Sequence, residues 1–201
     1  MSDTPYGLIP AQFERWFVKL LKPFAELLVR LKCTPNTITL ISLGLGFVTG
    51  LMLALDKLTL ALIFGIAMGF CDILDGQVAQ ISQRTGIFGA ILDSVIDRYT
   101  DFMLLLGLGI KYYVDGEPFW AFISVLAIAA SFEISYIRAR AEGVGMKCNV
   151  GLAQRSERLI LIGIGVIVGG VVLKIALLVL TVIAYYTAGQ RLIFLKKSSI
   201  G

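Results

Sequence analysis

The chain has 201 residues, of which 57% are hydrophobic and only 16% are charged. A soluble domain of this size would carry more charge, so the composition indicates an integral membrane protein. Histidine is absent, which excludes imidazole as a base or metal ligand, and the three isolated cysteines predict neither a disulfide framework nor a zinc site.

Residues 1–35 form an N-terminal segment whose second half is typical of an interfacial helix. Between Ala11 and Lys32, large apolar side chains alternate with basic ones such as Lys19, Lys22 and Arg30. This composition predicts an amphipathic helix lying on an anionic leaflet. A soluble helix docked on the rest of the protein is the alternative interpretation.

Residues 36–201 predict an all-α bundle of six transmembrane helices, because the apolar runs are too long and too uniform for barrel strands. The break at Thr34-Pro35-Asn36 provides a cap and a helix start. The predicted bounds are 37–55, 58–80, 87–112, 119–140, 156–171 and 173–192, with a tight turn at Gly169-Gly170 between the last two.

The distribution of basic residues predicts the orientation of the protein in the membrane. Most of the 18 Lys and Arg residues fall on the side that holds both termini, whereas Lys57, Lys111 and Lys174 fall on the other. By the positive-inside rule, we expect the protein in the cytoplasmic membrane, with both termini on the cytoplasmic side. No nucleic-acid partner is expected.

Four carboxylates at the cytoplasmic ends of two helices are the main functional signal. Asp72 and Asp75 are three residues apart, and Asp93 and Asp97 are four apart, so each pair shares one helix face. Such acids stay ionised near a membrane only with positive charge among them, and clustered oxygen ligands suit Mg²⁺ or Mn²⁺. The alternative is that they merely pair with Arg84 and Arg98.

The spacing of these acids resembles a family signature. The pattern is D-x-x-D-G-x-x-A, a gap of nine residues, and then G-x-x-x-D-x-x-x-D, which resembles the CDP-alcohol phosphotransferases. The matching residues are Asp72, Asp75, Gly76, Ala79, Gly89, Asp93 and Asp97. One position departs from the pattern, because Gln80 stands where the family has an arginine that helps to hold the CDP-lipid.

The resemblance implies an enzyme that moves a phosphatidyl group from a CDP-linked lipid to an alcohol and releases CMP. The lipid would be CDP-diacylglycerol or CDP-archaeol, and two Mg²⁺ or Mn²⁺ ions held by Asp72, Asp75, Asp93 and Asp97 would clamp its pyrophosphate. Asp97 is also the expected base for the incoming hydroxyl. The expected CDP-lipid contacts are Asn36, Thr39, Gly76, Ala79, Gln80, Thr85 and Gly89.

A second set of residues bears on the acceptor alcohol. The stretches S-Y-I-R-A-R-A-E, R-S-E-R and G-Q-R resemble the subgroup of phosphatidylinositol-phosphate synthases and their archaeal counterparts. The resemblance implies a phosphate pocket made by Ser135, Arg138, Arg155 and Arg191, with inositol phosphate as the expected acceptor and glycerol 3-phosphate as the alternative. Outside this class, buried acids also mark cation transporters. A purely structural membrane protein explains neither acid pair.

Three small-xxx-small motifs predict close helix packing: Gly46-x-x-x-Gly50, Gly65-x-x-x-Gly69 and Gly165-x-x-x-Gly169. Such faces serve either contacts within one bundle or contacts between two copies. The family resemblance favours a homodimer.

Overall fold

The computed structural model describes residues 11–148 and 150–198, with side chains from residue 18 onward. The described residues form seven α-helices and no strand, which confirms the all-α fold class. The helices are α1 (Ala11–Arg30), α2 (Pro35–Ala54), α3 (Leu58–Ile81), α4 (Ile87–Val114), α5 (Pro118–Gly143), α6 (Arg155–Val168) and α7 (Gly170–Ser198).

Local signals set most helix ends close to their predicted positions. The Thr34 hydroxyl accepts a hydrogen bond from the Thr37 amide at 3.2 Å, and Pro35 occupies the first turn of α2. Gly169 takes a φ of 73°, which ends α6 and confirms the predicted turn. The predicted end of the last helix at Leu192 is wrong, because α7 continues to Ser198 with Lys196 and Lys197 in its last turn. Cations are favourable at a helix C-terminus.

The chain divides into two compact units whose boundary lies within α4, between Gly107 and Leu108. In the first unit, α3 packs against both α2 and α1, around a small core of Ala25, Ile38 and Val78. An apolar stripe of α1 beside the buried face stays exposed and consists of Leu20, Phe24 and Leu27, and Leu31 just after the helix is exposed as well. Helix α1 is therefore docked on α3 by one face and presents a second apolar face outward.

Helices α2 and α4 meet at backbone distance inside the first unit. A Cβ built on Gly107 would lie 2.1 Å from the Gly50 carbonyl oxygen, and one on Gly50 would lie 2.3 Å from the Met103 carbonyl oxygen. At Gly46, a Cβ would lie 2.6 Å from the Thr100 side chain. The Gly46–Gly50 motif thus serves a contact within the chain.

In the second unit, α7 packs against α5 and α6. Small alanines bring α5 and α7 together around Ile134 and Ile137, through Ala130, Ala153, Ala184 and Ala188. Gly165 allows the close approach of α6 to α7, because a Cβ there would lie 2.9 Å from Ala176 Cβ. Cys33, Cys71 and Cys148 form no disulfide, as expected from their spacing.

Among the described helices, four are long and apolar enough to cross a membrane: α2, α3, α5 and α7. Helix α6 has 14 residues, which at 1.5 Å per residue is shorter than a typical hydrocarbon core. Helix α4 has sufficient length, but its first half carries Asp93, Asp97 and Arg98. The structure therefore supports a multi-pass membrane protein with four evident spans.

We expect Gly107→Ala to lower the stability of the protein by about 1–3 kcal/mol, because the new methyl group would overlap the α2 backbone. The thermal unfolding midpoint in mild detergent measures the loss. Gly44→Ala is the matched control on α2, since its Cβ would meet no atom within 4 Å. An unchanged midpoint for Gly107→Ala would contradict the close crossing.

Candidate functional site

Three of the four predicted acids come together between α3 and α4. One carboxylate oxygen from each of Asp72, Asp93 and Asp97 lies within 4.8 Å of the others, and all three residues are half-buried. Helix α3 continues past its apolar run to bring Asp72 to this level, and the four-residue spacing aligns Asp93 with Asp97 on α4. The donor set is entirely carboxylate oxygen, which fits Mg²⁺ or Mn²⁺ rather than a softer metal.

The fourth predicted acid, Asp75, is not in this group of three and accepts a hydrogen bond from α2. It is buried, with 5% exposure, and its Oδ2 accepts a hydrogen bond from the Thr39 hydroxyl at 2.7 Å. The nearby charges of Asp93 and Asp72 repel its carboxylate. Helix α2 therefore fixes the orientation of one oxygen of the Asp75 carboxylate.

Arg98 and Arg84 are the arginines nearest in sequence to the acids. Arg98 Nη1 lies 3.9 Å from Asp97 Oδ2, and the same nitrogen donates to the Ser94 carbonyl of its own helix. Arg84 is exposed in the segment between α3 and α4. A partly exposed ion pair at 3.9 Å contributes little to stability.

The predicted nucleotide contacts flank the acids on α2, α3 and α4. Asn36 lies beside Gly89, because a Cβ on Gly89 would come within 3.3 Å of Asn36 Oδ1. Gly76 is exposed, and a Cβ there would meet no protein atom within 4 Å. No packing constraint of the protein therefore requires glycine at position 76, and the open space beside it fits a bound group.

The remaining predicted nucleotide contacts differ in accessibility. Ala79 is half-buried, whereas Gln80 and Thr85 are exposed, one near the end of α3 and the other in the turn that follows. Thr39 is buried, and its hydroxyl is engaged by Asp75. In the structure, Thr39 therefore orients the carboxylate of Asp75, a role that the sequence did not indicate.

The predicted acceptor residues fall in the second unit and have different surroundings. Arg138 is exposed and bonds Glu142 at 2.8 Å, while Ser135 and Arg155 are half-buried. Arg191 is buried, and its Nε and Nη1 donate to the carbonyls of Val150 and Ile134 at 3.0 and 2.6 Å.

The sequence assigned no specific role to two residues near this set. Arg158 is buried at 7% exposure and donates through Nη1 to the Ala153 carbonyl at 3.0 Å. Thr187 is fully buried and accepts a hydrogen bond from the Ala153 amide at 3.1 Å. No residue pattern points to either contact, because both hydrogen bonds go to backbone groups of Ala153. Gln154 and Glu157 form a capping box at the start of α6.

The chain is similar to known proteins over most of its length. A model of the CDP-alcohol phosphatidyltransferase family matches residues 32–193. A phosphatidylinositol phosphate synthase of Corynebacterium glutamicum is 35% identical over 203 residues, covering 97% of this chain and 90% of that protein. An archaetidylinositol phosphate synthase of Methanothermobacter thermautotrophicus is 32% identical over 191 residues, covering 91% and 92%.

The fold is similar to that of solved structures of a Mycobacterium tuberculosis phosphatidylinositol phosphate synthase. The form with CDP-DAG bound matches with a TM-score of 0.80 at 27% identity, covering 87% of this chain and 92% of that chain. The complex with manganese and citrate matches with a TM-score of 0.79 at 28% identity, covering 85% and 86%.

We expect Thr39→Val to impair the acid site, because Asp75 would lose its buried hydrogen-bond donor while keeping its charge. The apparent affinity for Mn²⁺ should fall by roughly tenfold or more, since losing a hydrogen bond to a charged group costs about 1.5–3 kcal/mol. Titration of CMP release with Mn²⁺ measures the change. Thr39→Ser keeps the hydroxyl and should behave like the wild type, so equal affinities for Val and Ser variants would exclude this role.

Proposed function

The chain belongs to the CDP-alcohol phosphatidyltransferase family, and we propose that it transfers the phosphatidyl group of CDP-diacylglycerol, or the corresponding group of CDP-archaeol, to inositol phosphate. An acceptor hydroxyl oxygen bonds to the lipid-bearing phosphorus, the pyrophosphate P–O bond breaks, and CMP leaves. The observation that carries the proposal is the cluster of Asp72, Asp93 and Asp97, whose carboxylate oxygens lie within 4.8 Å of one another.

Two Mg²⁺ or Mn²⁺ ions, held by these three acids with Asp75, would neutralise the pyrophosphate charge and the negative charge that develops on the leaving phosphate. The all-oxygen donor set supports this proposal, as does the manganese complex of the tuberculosis relative. By donating a hydrogen bond to Asp75 Oδ2, Thr39 fixes the orientation of this proposed metal ligand.

Asp97 is the proposed general base, which takes the proton of the acceptor hydroxyl as the new P–O bond forms. It lies one helical turn deeper along α4 than Asp93 and shares its face. Arg98 Nη1 lies 3.9 Å from Asp97 Oδ2, and a partly exposed ion pair at this distance is weak.

We propose that the CDP-lipid head group binds along α2, α3 and α4 at the seven contacts predicted from the sequence. Support comes from the open space at Gly76 and from the neighbouring positions of Asn36 and Gly89. The exposed amide of Gln80 stands where the family has an arginine, so it can offer a hydrogen bond but no charge.

The proposed acceptor carries a phosphate, and the arginines of the second unit are suited to bind it. Arg155 is half-buried at the start of α6, and Arg138 is solvent-accessible. Arginine binds phosphate in a bidentate manner. The names of the relatives from Corynebacterium and Methanothermobacter favour inositol phosphate over glycerol 3-phosphate.

We further propose six membrane spans within residues 36–201, with both termini and the active site on the cytoplasmic side and α1 in the interface. The exposed stripe of Leu20, Phe24 and Leu27 on α1 supports the interfacial position. We also propose that the protein is a homodimer. Gly69 supports it, because its Cβ would meet no atom within 4 Å and it lies between the exposed Ile66 and Phe70.

The purified protein should release CMP from CDP-diacylglycerol or CDP-archaeol when supplied with Mn²⁺ or Mg²⁺ and inositol phosphate. Chromatographic detection of CMP across a panel of inositol phosphate, glycerol 3-phosphate, inositol and serine tests the acceptor. Excess chelator should abolish release, because the acid cluster cannot bind pyrophosphate without compensating charge. Preference for an unphosphorylated acceptor would contradict the proposed acceptor, and full activity in chelator would contradict the metal site.

Asp97→Asn should lower kcat by roughly 10²–10⁴-fold, the usual contribution of a general base, while CDP-lipid binding persists. Asp93→Asn is the matched comparison one turn away, and raising the Mn²⁺ concentration should partly restore its activity. Single-turnover kinetics and CDP-lipid binding across a metal titration distinguish the two variants. Restoration of Asp97→Asn by metal to the same extent would make Asp97 chiefly a metal ligand.

A further inference from the structure

The segment Val150–Gln154, here called the α6 entry segment, is held in place by buried side chains of α6 and α7. Arg191 Nε donates to the Val150 carbonyl at 3.0 Å. The backbone of Ala153 is held on both sides, because its amide donates to Thr187 Oγ1 at 3.1 Å and its carbonyl accepts from Arg158 Nη1 at 3.0 Å. Buried hydrogen bonds of this kind are costly to leave unmade, so they fix the path of the backbone.

The backbone of the α6 entry segment also passes unusually close to α7. Gly151 has a φ of 127°, and a Cβ there would lie 2.2 Å from Thr187 Cγ2. Both the conformation and the space therefore require glycine at this position. Thr187 itself is fully buried, so the contact cannot relax by moving the threonine into solvent.

The next residue after the α6 entry segment is Arg155, the first residue of α6. The capping box fixes the helix start, since the Gln154 amide donates to Glu157 Oε2 at 2.7 Å. Arg191 adds a second connection, because its Nη1 donates to the carbonyl of Ile134, the residue before Ser135. One buried guanidinium thus links the backbone next to Ser135 with the backbone that leads to Arg155.

We infer that Thr187 and Arg158 are positioning residues for Arg155, acting through the α6 entry segment to set where the acceptor phosphate binds. This inference rests on the proposed function, in which Arg155 contacts that phosphate. Neither residue needs to touch the substrate, because each forms a hydrogen bond to the backbone of Ala153. Arg191 shares this work, so its removal would disturb the backbone as well as any phosphate contact.

The predicted effect is selective for the acceptor. A displacement of about 1 Å at a binding group can lower the rate by as much as a hundredfold. We expect loss of the hydrogen bond to the Ala153 amide to shift the start of α6 by a distance of this order. We expect Thr187→Val to raise the KM for inositol phosphate about tenfold while the KM for the CDP-lipid changes less than twofold. A general loss of packing would instead lower the active fraction and leave both KM values unchanged.

The chain offers a matched control on the same helix. Thr181 is also buried, but its hydroxyl donates to the Leu177 carbonyl within α7 at 2.7 Å. Thr181→Val therefore removes a hydroxyl of the same kind without freeing the α6 entry segment, and should leave both KM values unchanged. Thr187→Ser retains the acceptor oxygen and should restore the KM for inositol phosphate.

A double-mutant cycle with Arg155→Ala tests whether Thr187 acts through Arg155. If it does, Thr187→Val should add less than twofold to the KM for inositol phosphate once Arg155 is absent. Additive effects in the cycle, or an unchanged acceptor KM in Thr187→Val, would overturn the inference. If Thr187→Val does not fold, Arg158→Gln carries the same test, since it removes the hydrogen bond to the carbonyl of the same residue, Ala153.

The wild-type protein separates this inference from the proposed function. If it releases no CMP with any phosphorylated acceptor, the proposed function fails and the premise fails with it. If it is active and the cycle shows no coupling, only the positioning role of Thr187 and Arg158 fails.

Discussion

The crowding of four carboxylates at the ends of apolar helices is the constraint on which this structure depends. Three of them lie within 4.8 Å of one another, and the fourth is buried beside them. Mutual repulsion and lost hydration both oppose this arrangement, so the protein must supply hydrogen-bond donors and attract cations. The Thr39 hydroxyl is one such donor, and a divalent metal is the compensating charge that the remaining oxygens suit.

Close helix packing makes that donor available. Glycines at positions 46, 50 and 107 let α2 approach α4 at backbone distance, while α2 also packs along α3. Helix α2 can therefore bring Thr39 to Asp75 on α3 and Asn36 to Gly89 on α4 at the same time. Small residues in membrane helices usually permit such contacts, and here they serve the geometry of the site.

Three arginines of the second unit fall into two physical classes. Arg138 is exposed and pairs with Glu142 on its own helix, a contact that contributes little to stability. Arg158 and Arg191 are buried and donate to backbone carbonyls, which binds separate segments together. Basic composition alone does not distinguish these classes, because the positive-inside rule places both kinds of arginine on the same side.

The sequence by itself determined the helices, the turn at Gly169 and the acid spacing, because helix periodicity, glycine and capping residues act over a few positions. It also indicated a metal site, since carboxylates at these intervals must share helix faces. Only the tertiary structure decided that Thr39 holds Asp75 and that Thr187, Arg158 and Arg191 hold the α6 entry segment. The latter three bond backbone groups, and because every residue but proline offers the same amide and carbonyl, no residue pattern identifies the partner.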